Sequence, residues 1–149
     1  MYRRVNQMSF ISAAWVMLLG VGCGGTDTTR PPTTVFPADP YAVVPSDQGK
    51  LSIEVRTGPS QPPGRGEADV QLIVHDGAGA LVGGLEVEAT PLMPAHAHGA
   101  PGLSVATSND GTGTYVLRNV SMYMPGIWEL RTRFSGAVMD TATPVFDVP

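Results

Sequence analysis

From Leu51 onward, apolar and polar residues alternate with a period of two. Leu51, Ile53 and Val55 alternate with Ser52, Glu54 and Arg56, and Val70, Leu72 and Val74 with Gln71, Ile73 and His75. Leu85, Val87 and Ala89 alternate with Glu86, Glu88 and Thr90, and Trp128, Leu130, Thr132 and Phe134 with Glu129, Arg131 and Arg133. Side chains leave a strand on opposite faces, so each set describes a strand with one buried face. Turn-forming clusters separate the sets: Gly58-Pro59 with Pro62-Pro63-Gly64, Asp76-Gly77-Ala78-Gly79, Asn109-Asp110-Gly111 and Pro125-Gly126. Leu103–Thr107, Gly113–Val120 and Val138–Val148 complete the strand set, and no stretch has a helical period. The pattern predicts an all-β domain over residues 50–149, a single antiparallel immunoglobulin-like β-sandwich of about seven strands. Trp128 and Tyr115 are expected in its core, each with one polar partner for its N–H or O–H.

The chain has one cysteine, so no disulfide supports this domain and its hydrophobic core must suffice. That cysteine, Cys23, closes a different kind of segment. Arg3–Arg4 precede the apolar run Phe10–Leu19, and small residues Gly20-Val21-Gly22 lead into Cys23. A positive start, a short apolar run and small residues at the cleavage point form a secretory signal, here residues 1–22, and the run is shorter than the roughly 20 apolar residues of a bilayer span. Gly20-Val21-Gly22-Cys23 resembles the lipobox of bacterial lipoproteins, which implies that Cys23 is lipidated and becomes the mature N-terminus. Gly20 stands where that motif prefers leucine. The expected location is the cell envelope. Gly24 lacks the aspartate character that retains such proteins at the inner membrane, which points to the outer membrane facing the periplasm.

Residues 23–49 read as a disordered tether, punctuated by Pro31, Pro32, Pro37, Pro40 and Pro45 and without hydrophobic period. At about 3.1 Å per residue in polyproline geometry it would hold the domain up to roughly 80 Å from the membrane. Loss of residues 1–22 removes two of the 9 basic residues and none of the 13 acidic ones, leaving an acidic mature chain. That balance argues against nucleic acid and against anionic membrane surfaces, so membrane contact is expected through the lipid alone. There are only 3 histidines, and no serine stands in a nucleophile elbow, so no enzyme constellation is predicted.

Two segments carry chemistry. In Met93-Pro94-Ala95-His96-Ala97-His98-Gly99 the imidazoles of His96 and His98 are two residues apart, and in an extended segment both would project from one side. Met122 and Met124 have the same spacing in Met122-Tyr123-Met124-Pro125-Gly126. Imidazole suits copper and thioether sulfur selects Cu(I), so convergence of the two segments would make a copper site. Methionine is also a common core filler, and alternation places Met93 with Leu85, Val87 and Ala89. His75, beside the Asp76-Gly77 turn, reads as a surface residue.

Met93-Pro94-Ala95-His96-Ala97-His98-Gly99, then Gly113-Thr114-Tyr115, then Met124-Pro125-Gly126-Ile127-Trp128 together resemble the YtkA-like domain, a family related to the FixH-like proteins. Its Met-Pro-x-His-x-His-Gly loop, Gly-x-Tyr strand and Met-Pro-Gly-x-Trp strand recur here in order over about Lys50–Val148. Ala97 stands where the family often has glycine. The resemblance implies an immunoglobulin-like sandwich in the bacterial envelope and a link to copper handling, with Met93, His96, His98 and Met124 as carried-over ligands. Two functions follow from these residues: a metal-binding module that passes copper to an acceptor, or a non-catalytic interaction module that recognises another envelope protein without metal.

Overall fold

The computed structural model describes residues 33–96, 98–99, 104–106 and 111–149. The signal segment and Cys23 lie outside them. The strands are β1 (Ala42–Pro45), β2 (Leu51–Gly58), β3 (Gly66–Asp76), β4 (Glu86–Met93), β5 (His98–Gly99), β6 (Ser104–Ala106), β7 (Thr114–Met122), β8 (Gly126–Ser135), β9 (Asp140–Ala142) and β10 (Val145–Val148). One sheet has the order β1-β2-β3-β7; the other has β10-β8-β4-β5, with β6 also on β4 and β9 also on β8. Every pairing is antiparallel. The fold is the expected β-sandwich. Seven strands have four or more residues, and β5, β6 and β9 are short additions of two or three.

The alternation read from the sequence is the burial pattern of the strands. In β2, Leu51, Ile53 and Val55 are buried and Ser52, Glu54 and Arg56 are half-buried. In β8, Trp128, Leu130, Thr132 and Phe134 face inward, and Arg131 and Arg133 face water. The inward residues of both sheets form one core. Their removal from water supplies the main driving force for folding, at about 25 cal/mol per Å² of apolar surface. The buried Tyr115 phenol donates to Val82 O at 2.8 Å and accepts from Leu85 N at 3.0 Å, fixing the connection that carries the chain from one sheet to the other.

Two expectations need correction. The folded region does not start at Lys50, because β1 pairs with β2 from Ala42↔Val55 to Pro45↔Ser52. An edge strand tolerates flanking prolines because one row of its backbone groups needs no ladder partner. The chain is held to the domain still earlier. Thr34 Oγ1 donates to Asp69 Oδ2, Ala38 O accepts from Arg56 Nη2 at 2.9 Å, and Asp39 O accepts from Gln61 Nε2 at 3.0 Å. A Cβ on Gly58 would fall 2.4 Å from Thr34 Cγ2, so only glycine lets this strap pass. The second correction concerns Val138–Val148, which is two strands rather than one. Pro144 interrupts it, and its carbonyl accepts from Leu130 N at 2.8 Å.

Limited proteolysis of the mature protein is therefore expected to stop before Thr34. A resistant fragment beginning near Lys50, established by N-terminal sequencing, would contradict the strap.

Candidate functional site

The two chemistry-bearing segments meet at one end of the sandwich. β4 ends at Met93, whose backbone pairs with His98 of β5, so the histidine loop turns back on the strand that leads into it. β7 ends at Met122, opposite Gly66 at the start of β3, and residues 123–125 carry the chain across to the other sheet, where β8 begins at Gly126. The Pro94–His96 segment forms a 3-10 turn that packs against β8. Gly126 has φ +123°, and a Cβ there would lie 2.7 Å from Met93 Cε. The positive φ of the Met-Pro-Gly segment favours glycine, and a side chain there would also push the Met93 methyl aside.

The structure separates the candidate ligands by exposure. His96 is exposed on its 3-10 turn. Met124 is partly buried against the core, and its carbonyl accepts from Trp128 Nε1 at 2.9 Å. Met93 is 4% exposed and Met122 fully buried, so both sulfurs belong to the core and neither is open to an ion arriving from solvent.

Neither the histidine pair nor the methionine pair keeps the period-two spacing of one extended segment. His96 and His98 do not share one extended segment, because Pro94, with its fixed φ, opens a 3-10 turn ahead of β5. Met122 and Met124 likewise part company, since β7 ends at Met122 and the crossing between the sheets begins at Tyr123. What brings the two segments together is strand pairing, not period-two projection. Among the described residues no group of three or more His, Cys, Asp or Glu side chains converges as a metal would require. That inventory does not include methionine sulfur.

Tyr123 and Ile127 stand exposed at this end beside the charged side chains of Arg65, Glu67 and Asp147. Tyr123 is 61% exposed and donates to Glu67 Oε1 at 3.2 Å, a bond to a carboxylate that raises the phenol pKa. Ile127 is 50% exposed. His75 lies at the opposite end, where β3 finishes, with Nε2 3.2 Å from Glu54 Oε1 and Nδ1 3.2 Å from Gly79 O. It lines a shallow groove of about 480 Å³ with Val43, Pro45, Ser52 and Glu54, apart from the histidine loop.

Sequence reasoning did not find two polar networks that frame the fold. Asp140 is buried at 3% exposure and accepts from Ser46 Oγ at 2.6 Å, Thr141 N at 2.8 Å, Gln48 N at 3.1 Å and Lys50 N at 3.3 Å. Burial alone would raise its pKa; those four donors outweigh burial and lower it. Asp69 sits opposite a bulge in β7, where Asn119 takes φ +54° and donates its N–H to Asp69 Oδ1 at 3.1 Å. Burial raises the Asp69 pKa, and the bonds from Thr34, Asn119 and Arg118 bring it below the ordinary value. No single-sequence motif marks either aspartate, because, apart from Thr141 N, their partners come from residues tens of positions away.

The topology and this arrangement of turns define a two-sheet antiparallel sandwich with a His/Met loop gathered at one end. A family model described as YtkA-like matches residues 47–133. The chain belongs to the YtkA-like family. No curated protein and no solved structure matches it.

Proposed function

We propose that this protein is a non-catalytic envelope lipoprotein whose YtkA-like sandwich binds Cu(I) at its His/Met end and passes it to an acceptor. The observation that carries the reading is the pairing of Met93 with His98 while the Pro94–His96 turn packs on β8, which brings the histidine loop to the Met-Pro-Gly strand. Met124, partly buried on the crossing that leads into β8, supplies a soft sulfur, and His96 and His98 supply imidazole. Met93 and Met122 belong to the buried core and are not assigned as ligands. A site made of two imidazoles and one thioether holds Cu(I) without the carboxylates that hard cations prefer.

Competition titration of the domain with a Cu(I) chelator tests the assignment. His96→Ala, His98→Ala and Met124→Leu should each weaken binding by an order of magnitude or more, about 1.4 kcal/mol per tenfold. Met122→Leu and His75→Ala should leave it unchanged, because one is sealed in the core and the other stands at the far end. Equal effects from all five substitutions would mean that the ion sits elsewhere.

The second reading, a metal-free interaction module, is favoured by the exposure of Tyr123 and Ile127 beside the loop. Copper-independent binding of a partner, lost in Ile127→Asp and kept in His96→Ala, would establish it.

A further inference from the structure

The backbone ladder between β4 and β8 runs from Glu86↔Ser135 to Leu92↔Glu129 and stops one residue short of Met93. Pro94 follows and has no N–H to offer, so hydrogen bonding cannot carry the ladder onward. Beyond Leu92 the end of β4 is held to β8 by side-chain contact instead. The Met93 side chain is buried at 4% exposure, and its methyl lies against Gly126, where a Cβ would come within 2.7 Å of Cε. The Met93 backbone meanwhile pairs with His98, so the histidine loop is rooted on the same residue. Gly126 opens β8 two positions after Met124, whose carbonyl accepts from the Trp128 indole N–H at 2.9 Å. Met93 thus touches both halves of the His/Met end, the loop through its backbone and the Met-Pro-Gly turn through its side chain.

Resting on the copper reading above, we infer that Met93 is a positioning residue, a strut that holds the histidine loop in register with the Met124 crossing, and that its sulfur does not ligate the ion. The side chain suits this task because it is unbranched and ends in a methyl that can reach over a glycine. Leucine has similar volume but is one atom shorter, so it fills the core and leaves the contact with Gly126 unmade. Norleucine has the reach of methionine and lacks the sulfur.

Hydrogen exchange of the copper-free mature protein and Cu(I) competition titration test the strut separately. Met93→Leu should speed exchange of the amides that pair residues 92–93 with 98–99 by about tenfold or more. It should also weaken Cu(I) binding about tenfold. Met122→Leu makes the same change at another buried core position and should alter neither. Norleucine in place of Met93 should match the unmodified protein in both measurements. Gly126→Ala, whose Cβ pushes on the Met93 methyl, should speed exchange at the same amides, and this effect should vanish in a Met93→Ala background. If Gly126→Ala does not fold, the leucine and norleucine variants decide the matter alone. Lost copper binding with norleucine would make Met93 a ligand, and equal effects of Met93→Leu and Met122→Leu would make it a core filler; either result overturns the strut. Absence of Cu(I) binding by the unmodified protein would remove the copper site, and the exchange rates would still establish or refute the coupling through Met93.

Discussion

Trp128→Ala is expected to destabilise the domain by about 3–5 kcal/mol, the usual loss on deleting a large buried aromatic. Trp128 is 3% exposed in β8 and part of the core, and its indole N–H is bonded to Met124 O. A domain without disulfides has only about 5–15 kcal/mol of total stability, so the loss is a large fraction of what holds it together. Trp128→Phe keeps an aromatic ring and removes the donor. It should cost less in urea unfolding and still loosen Met124, which would show as weaker Cu(I) binding by a folded protein. An alanine variant as stable as the parent would contradict the burial of this side chain.

Asp140→Ala should cost at least about 3 kcal/mol at neutral pH, because it strips one charged acceptor from four donors and hydrogen bonds to charged groups contribute about 1.5–3 kcal/mol each. Those donors lie in the β1–β2 turn and at the start of β9, so the carboxylate fastens one sheet to the other across 94 positions of sequence. The folded-state pKa is below the unfolded value of about 3.9. The stabilisation is therefore complete above that value and is lost as pH falls through the lower folded pKa. Urea midpoints of the parent should decline on acidification below about pH 4, and Asp140→Asn should be less stable at neutral pH with a shallower decline. Identical acid profiles for parent and variant would show that the buried carboxylate contributes no differential proton binding.

The sequence exposes those parts of the fold whose physics is local. β2, β3, β4 and β8 each have a solvated face, so alternation alone marks them, and Pro125-Gly126 marks the entry to β8. β1 has no such mark. Val43 and Val44 are adjacent, prolines flank them, and their strand exists only because the edge of β2 stands ready to pair. The strap from Thr34 to Asp39 is invisible for the same reason, since its partners Arg56, Gln61, Asp69 and Arg118 are distant in sequence.

At the candidate site, alternation correctly put Met93 inside. It could not show that β7 would end at Met122, which seals that sulfur in the core and leaves Met124 on the crossing between sheets. The motif residues were legible as a group because their types are unusual together. Which of them are buried and which are open to solvent depends on the turn at Pro94 and the sheet-to-sheet crossing at residues 123–125.

The proposed site at the His/Met end holds copper through imidazole nitrogen and thioether sulfur. Copper K-edge X-ray absorption of the Cu(I)-loaded, desalted domain tests it most directly. One tightly held ion with both nitrogen and sulfur scatterers is expected, the sulfur lost in Met124→Leu and the nitrogen reduced in His96→Ala. A domain that retains no copper after desalting, or a spectrum unchanged by either substitution, would contradict it.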